Sequence, residues 1–236
     1  MHLRAVFFDV GQTLIRENPS RFAIYAQAAR DRGLQVTDET MHQHMVAAHR
    51  GLPVELVLEE GSPPAYRYDD RWFGAFIEHI FGGTLGLGPR DVADVTAEMF
   101  ARFEHPETFR VFAGARELLQ ELRARGMYLG VISNWSARLD NVLRALELDA
   151  VFDRVWCSAL ERLEKPDRRL FERAVAGAGV PAAEAMHIGD HPKKDVEGAR
   201  SAGLQAVRID HDGDPPGDPD RVVDFRELRA ILLDRI

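Results

Sequence analysis

One cysteine, Cys157, stands in 236 residues. It can form no intramolecular disulfide and has no second thiol for a cysteine-based metal site, so its expected role is that of a buried structural thiol. Long apolar runs are also missing: none approaches the ~20 residues that a membrane-spanning helix needs. The opening MHLRAVFF lacks the charged head, long apolar middle and small-residue cleavage site of a secretory signal. A cytoplasmic protein with no membrane attachment is therefore expected. An excess of positive charge is absent too, and a formal net charge of -8 opposes nucleic acid as a partner. No internal repeat recurs at a fixed period. The one biased tract is the acidic DHDGDPPGDPD, Asp210 to Asp220, whose prolines and glycines suit a solvated loop better than a cation-binding one. What is present is an ordinary globular composition, 45% hydrophobic and 29% charged, in a chain long enough for a large core.

Short apolar runs alternate with longer helix-like segments. The runs are LRAVFFDV (Leu3 to Val10), YLGVIS (Tyr128 to Ser133), RVWCSA (Arg154 to Ala159), AMHIGD (Ala185 to Asp190) and QAVRID (Gln205 to Asp210), with a short VVDF near Val222 as an edge candidate. Helical periodicity in GARELLQELRARG and RRLFERAVAGAG, the first stopped by Gly126 and the second by Gly177 and Gly179, completes a strand and helix rhythm. That rhythm predicts an α/β fold with a parallel sheet. Between Arg16 and about Phe109 it changes: four helix-like segments follow one another and strands are not expected. The domain reading is a core of residues 1–15 and 110–236 with an inserted helical bundle at 16–109.

Open parallel sheets bind ligands beyond the carboxyl ends of their strands, and polar residues gather at those ends here. Asp9 closes the first run, Ser133 and Asn134 the second, Glu164-Lys165-Pro166 follows the third, and GDHPKKD follows the fourth with Asp190 and Asp195. One carboxylate after a strand is commonly a cap or turn residue. Four polar ends in succession point to a site.

Together, FFDVGQTL, GVISN, EKPDRRLFERA and HIGDHPKKD resemble the four motifs of the haloacid dehalogenase superfamily, in the branch with a helical cap inserted after the first strand. The resemblance spans nearly the whole chain. It implies a Rossmann-like parallel sheet with helices on both faces, a helical cap, and magnesium-dependent hydrolysis of a small phosphorylated substrate. Asp9 matches the nucleophile, which attacks phosphorus to give an aspartyl-phosphate. Ser133, with the main-chain N–H of Asn134, matches the phosphoryl-oxygen donors, and Lys165 the cation between nucleophile and phosphate. Asp9, Asp190, Asp195 and the main-chain carbonyl of Gly11 match the Mg²⁺ site, an all-oxygen set that suits that ion. Lys193 and Lys194 read as solvent-facing.

The first motif departs from the phosphatase pattern. Its second aspartate, the acid that protonates the leaving oxygen and then activates water, is replaced by Gly11, with Gln12 following; such acid-base help is typically worth ~100- to 10,000-fold. Dehalogenases also replace it but lose the metal aspartate, which Asp190 retains. Phosphonate-cleaving members need a cap lysine, and residues 16–109 contain none. The nearest resemblance is to capped hydrolase-like members with a non-aspartate here and an aromatic after SN, as in Asn134-Trp135. Glu17, His42, His44 and His191 are candidates for a substitute acid, and Arg16, Arg67 and Trp72 for substrate contacts, although each has an ordinary structural explanation. The expected function is a weakened phosphatase; the alternative is a non-catalytic protein that binds a phosphorylated ligand.

Overall fold

The computed structural model describes residues 2–213 and 220–236, so most of the acidic tract's second half lies outside the described residues. The chain divides into two compact units, Met1–Arg16 with Arg110–Ile236, and Glu17–Phe109. In chain order the strands are β1 (Ala5–Phe8), β2 (Ile15–Glu17), β3 (Glu55–Leu56), β4 (Ala65–Tyr66), β5 (Phe109–Val111), β6 (Tyr128–Ser133), β7 (Arg154–Cys157), β8 (Ala185–Gly189), β9 (Gln205–Ile209) and β10 (Arg221–Val222). Six form one sheet in the order β10-β9-β8-β1-β6-β7, and every pairing in it is parallel.

The sheet is the parallel α/β arrangement that the apolar runs predict, with the Rossmann-like winding that the family resemblance implies. All four β1 residues are fully buried, because a central parallel strand is covered on both faces and so reads as an unbroken apolar run. Its side chains decide what its neighbours can be. Phe7 meets Trp156 of β7 edge to face, with centroids 5.7 Å apart, and does so across β6 at Gly130. A Cβ at Gly130 would stand 2.6 Å from the Phe7 ring and 3.0 Å from Trp156. The helix Arg168–Ala178 packs Leu170, Phe171 and Ala174 into the same cluster. Here one expectation is corrected. Gly177 does not stop that helix, which ends at Gly179 in the left-handed region; a Cβ at Gly177 would lie 2.5 Å from the Trp156 indole, so close packing requires the glycine. Cys157 is buried, and burial pushes its thiol pKa up.

The sheet grows from β1 toward β7 on one side and from β8 toward β10 on the other. The winding reverses beside β1, and the crevice at such a reversal is where ligands bind in this architecture.

The unit Glu17–Phe109 carries the helices Arg21–Arg30, Asp38–Gly51, Asp70–Glu78 and Pro89–Arg102. Ser20, Thr37 and Asp69 cap the first three through their side chains, satisfying main-chain N–H groups that a helix start leaves without partners. The expectation that strands are absent between 16 and 109 is corrected. β3 and β4 pair antiparallel around a segment containing Gly61, Pro63 and Pro64, which helices reject. Trp72 is fully buried, stacks on Phe76 at 5.6 Å and donates from Nε1 to the Pro53 carbonyl at 2.8 Å. The Arg67 guanidinium lies 5.5 Å over the Trp72 ring. Trp72 is thus a core residue of this unit and cannot touch a substrate. The His42 ring lies tilted against Phe22 with centroids 4.0 Å apart, and Glu17 pairs with Arg21 at 2.5 Å.

Overpacking a close-packed core costs about 1–3 kcal/mol. Gly130→Ala should therefore lower the unfolding free energy by that much, seen by circular dichroism as a lower urea midpoint at an unchanged denaturant slope.

Candidate active site

Strand register brings the polar ends together. Phe8 of β1 pairs with Val131 of β6 on one side and Ile188 of β8 on the other. Asp9 is one residue past this level, while Ser133 and Asp190 are each two past it, so all three cluster at the carboxyl ends of adjacent strands. The Asp9 main-chain N–H donates to the Ile188 carbonyl at 2.8 Å, which extends the ladder and holds the carboxylate at the strand tip. Ser133 is buried at the end of β6. Gly11 is half-buried in the turn that follows β1 and bridges to Ile15.

Lys165 joins these ends. It is 3% exposed, and its ammonium lies 2.8 Å from Asp9 Oδ1 and 2.5 Å from Asp195 Oδ1. Burial alone would pull the ammonium pKa down; Asp195 and Asp9 more than reverse this and hold it above its usual value. Asn134 positions the lysine through its side chain, a role beyond the main-chain one expected. Its amide donates to the Lys165 carbonyl at 3.1 Å and accepts from the Lys165 N–H at 2.7 Å.

Asp195 is anchored on every side. Besides Lys165, its Oδ1 meets His187 Nε2 at 2.9 Å, and its Oδ2 accepts from the His191 main-chain N–H at 3.0 Å. Burial raises its pKa, but Lys165 and the His187 hydrogen bond outweigh this and hold the carboxyl well below the ordinary carboxylate range. Gly189 makes the approach possible, since a Cβ there would fall 2.2 Å from Asp195 Cγ. His187 and Gly189 escape sequence reading because β8 is buried throughout and so has no alternation to set a polar position apart. His187 is fully buried, and burial holds its imidazole pKa below the usual value.

Carboxylate oxygens of Asp9, Asp190 and Asp195 all lie within 4.8 Å of one another. Asp190 bears the cost of this crowding: burial, then the Asp9 charge and the Asp195 charge, push its pKa up to about 7. Asp9 Oδ1 is buried without an aligned hydrogen-bond donor, its Lys165 contact being an ion pair. The cluster thus holds more negative charge than one ammonium offsets. His191 is spent as a cap: its Nδ1 accepts from the N–H groups of Lys193 and Lys194 at 3.2 and 3.3 Å. Lys193 is exposed, as expected, and Lys194 half-buried.

A family model for haloacid dehalogenase-like hydrolases matches residues 3–203. The chain belongs to this family. It is 30% identical over 214 residues to human haloacid dehalogenase-like hydrolase domain-containing protein 3, covering 89% of this chain and 82% of that one. It is also 30% identical to the phosphoserine phosphatase of Thermus thermophilus over 248 residues, 98% of each chain. A haloacid dehalogenase superfamily phosphatase structure from Thermococcus onnurineus superposes with a TM-score of 0.69 at 23% identity, over 99% of this chain and all of the other, which shows the shared fold. The protein is therefore a hydrolase of this family, and among the described residues no helix is long and apolar enough to cross a membrane.

Removing one partner of a buried ion pair costs about 3–5 kcal/mol because the other charge is stranded. Lys165→Met should destabilise by that amount at pH 7 in urea titrations. The stranded carboxylates then have raised pKa values, so their protonation on acidification relieves the penalty and the gap from wild type should narrow toward pH 4.

Proposed function

We propose that the protein is a magnesium-dependent phosphomonoester hydrolase that works through an aspartyl-phosphate on Asp9. The observation that carries this reading is Asp9 itself: a buried carboxylate at the strand tip whose Oδ1 lies 2.8 Å from a buried ammonium, with carboxylate oxygens of Asp190 and Asp195 within 4.8 Å. The donor set fits Mg²⁺. It is built of oxygens, it has surplus negative charge, and Asp190 is held near a pKa of about 7 by burial and its carboxylate neighbours. Asp9, Asp190 and the Gly11 carbonyl would hold the ion, with Asp195 supporting from behind while paired to Lys165. Bound Mg²⁺ would offset the charge of the phosphoryl oxygens.

The protein's own groups do the rest. Ser133 Oγ–H and the Asn134 N–H donate to the phosphoryl oxygens, and Lys165 balances charge between them and Asp9. An Asp9 oxygen bonds to phosphorus as the bond from phosphorus to the leaving oxygen breaks, and the leaving group keeps the electron pair. Water then attacks phosphorus, the aspartyl bond breaks, Asp9 returns as carboxylate and the released phosphate carries the water's protons. Gly11 supplies no acid to either step, so turnover favours leaving groups that are stable as anions, such as acyl or aryl oxygen. On this reading Glu17–Phe109 corresponds to the family's cap. An intact Asp190 argues against a haloacid dehalogenase.

Asp9→Asn should abolish phosphate release from acetyl phosphate or 4-nitrophenyl phosphate at saturating Mg²⁺ while leaving the fold intact; persistent release would exclude Asp9 as nucleophile. Because the ion must displace a proton from Asp190, Mg²⁺ affinity measured by calorimetry should weaken by up to about tenfold per pH unit below about pH 7. Affinity that is flat between pH 8 and 5.5 would remove Asp190 from the site.

A further inference from the structure

Gly11 does not owe its identity to the main chain. Its φ is not in the left-handed region; the following residue, Gln12, is the one held there, at 59°. What crowds position 11 is Trp135. A Cβ at Gly11 would stand 3.1 Å from the indole Cζ3 and 3.9 Å from Cε3, with no other atom within 4 Å. Anything longer than a methyl group has to displace the ring or turn away from it. The main chain that carries the ring is tied down, so displacement falls to the side chain itself. The Trp135 main-chain N–H donates to Ser158 Oγ at 3.0 Å, and its main-chain carbonyl accepts from the Ser158 hydroxyl at 3.1 Å and the Ala159 N–H at 3.2 Å. Ser158 is itself fully buried at the end of β7. The main chain of Trp135 is thus fixed, and its half-buried indole lies edge-on beside Gly11, two residues from Asp9.

We propose that Trp135 is the leaving-group specificity determinant of this site: its indole fills the volume a side chain at residue 11 needs, and so keeps an acid out of reach of the departing oxygen. This rests on the aspartyl-phosphate reading and deepens it. The absent acid is one half of a steric pair. Restoring it takes two changes: Gly11→Asp meets the ring, Trp135→Ala alone opens space with no acid in it, and the two together place a carboxyl group where it can protonate the leaving oxygen. The proton passes from that carboxyl to the leaving oxygen as its bond to phosphorus breaks, and returns from the water that cleaves the aspartyl-phosphate.

The test compares wild type, Gly11→Asp, Trp135→Ala and the double variant, with Trp135→Leu as a milder ring removal in case the alanine variant folds poorly. Hydrolysis is measured on a series of phosphate esters whose leaving groups run from nitrophenol to simple alcohols, with Mg²⁺ saturating. The double variant should gain on the alkyl esters by about 100-fold and show a flatter dependence of rate on leaving-group pKa, while Gly11→Asp alone gains less than a tenth as much. A repacking effect without acid chemistry would not flatten that dependence. In thermal unfolding, Gly11→Ala should lower the midpoint in the wild-type background and not in Trp135→Ala. An equal gain from Gly11→Asp alone, or an unchanged leaving-group dependence in the double variant, overturns the assignment. Labelling of Asp9 by acetyl phosphate, read by mass spectrometry, separates the two levels. If wild type is labelled, failure belongs to Trp135. If it is not labelled and releases no phosphate, the aspartyl-phosphate reading fails and the specificity role falls with it, leaving the unfolding cycle as a measure of packing alone.

Discussion

A single buried ammonium holds this site together. Lys165 stands between Asp9, at the tip of β1, and Asp195, in the helical segment Pro192–Glu197 that follows β8, two carboxylates far apart in the chain. A buried charge is expensive unless it is paired and hydrogen-bonded, so each group around the lysine is under constraint. Asn134 clamps its main chain, His187 and the His191 N–H fix Asp195, and Gly189 makes room for Asp195 to come close. The arrangement works only as a unit, since the loss of one member strands the charge of another.

The sheet supplies the precision that such a unit needs. Phe7, Gly130, Trp156 and Gly177 interlock across β1, β6, β7 and the helix Arg168–Ala178, with glycines where rings cross neighbouring elements. Close packing of this kind resists small displacements. It fixes the relative heights of strand tips to which Asp9, Ser133 and Asp190 are attached. Burial, and after it the charges of Asp9 and Asp195, raise the pKa of Asp190, and this crowding of carboxylates is the physical reason to propose a cation there.

Trp135 and Gly11 set a different kind of limit. They leave Asp9 and its charge partners undisturbed and restrict what can stand beside Asp9. On the proposed reading, attack on phosphorus and assistance to the leaving group are then separable.

Much of this was legible in the amino-acid sequence. The apolar runs at β1 and β6 are short and unbroken because central parallel strands are buried on both faces, and polar residues close them because strand ends meet solvent or ligand. Chemistry of that kind, local in the chain, marks Asp9, Ser133, Lys165, Asp190 and Asp195 directly. Other features depend on residues distant in sequence. His187 sits inside an apolar strand, Gly177 resembles a helix stop, Trp72 resembles a ligand contact, and Gly11 resembles a simple loss of an acid. Only the tertiary structure assigns His187 to Asp195, Gly177 to Trp156, Trp72 to its own unit's core and Trp135 to the space over Gly11, because steric exclusion and burial are properties of neighbours in space, and periodicity along a chain carries no record of them.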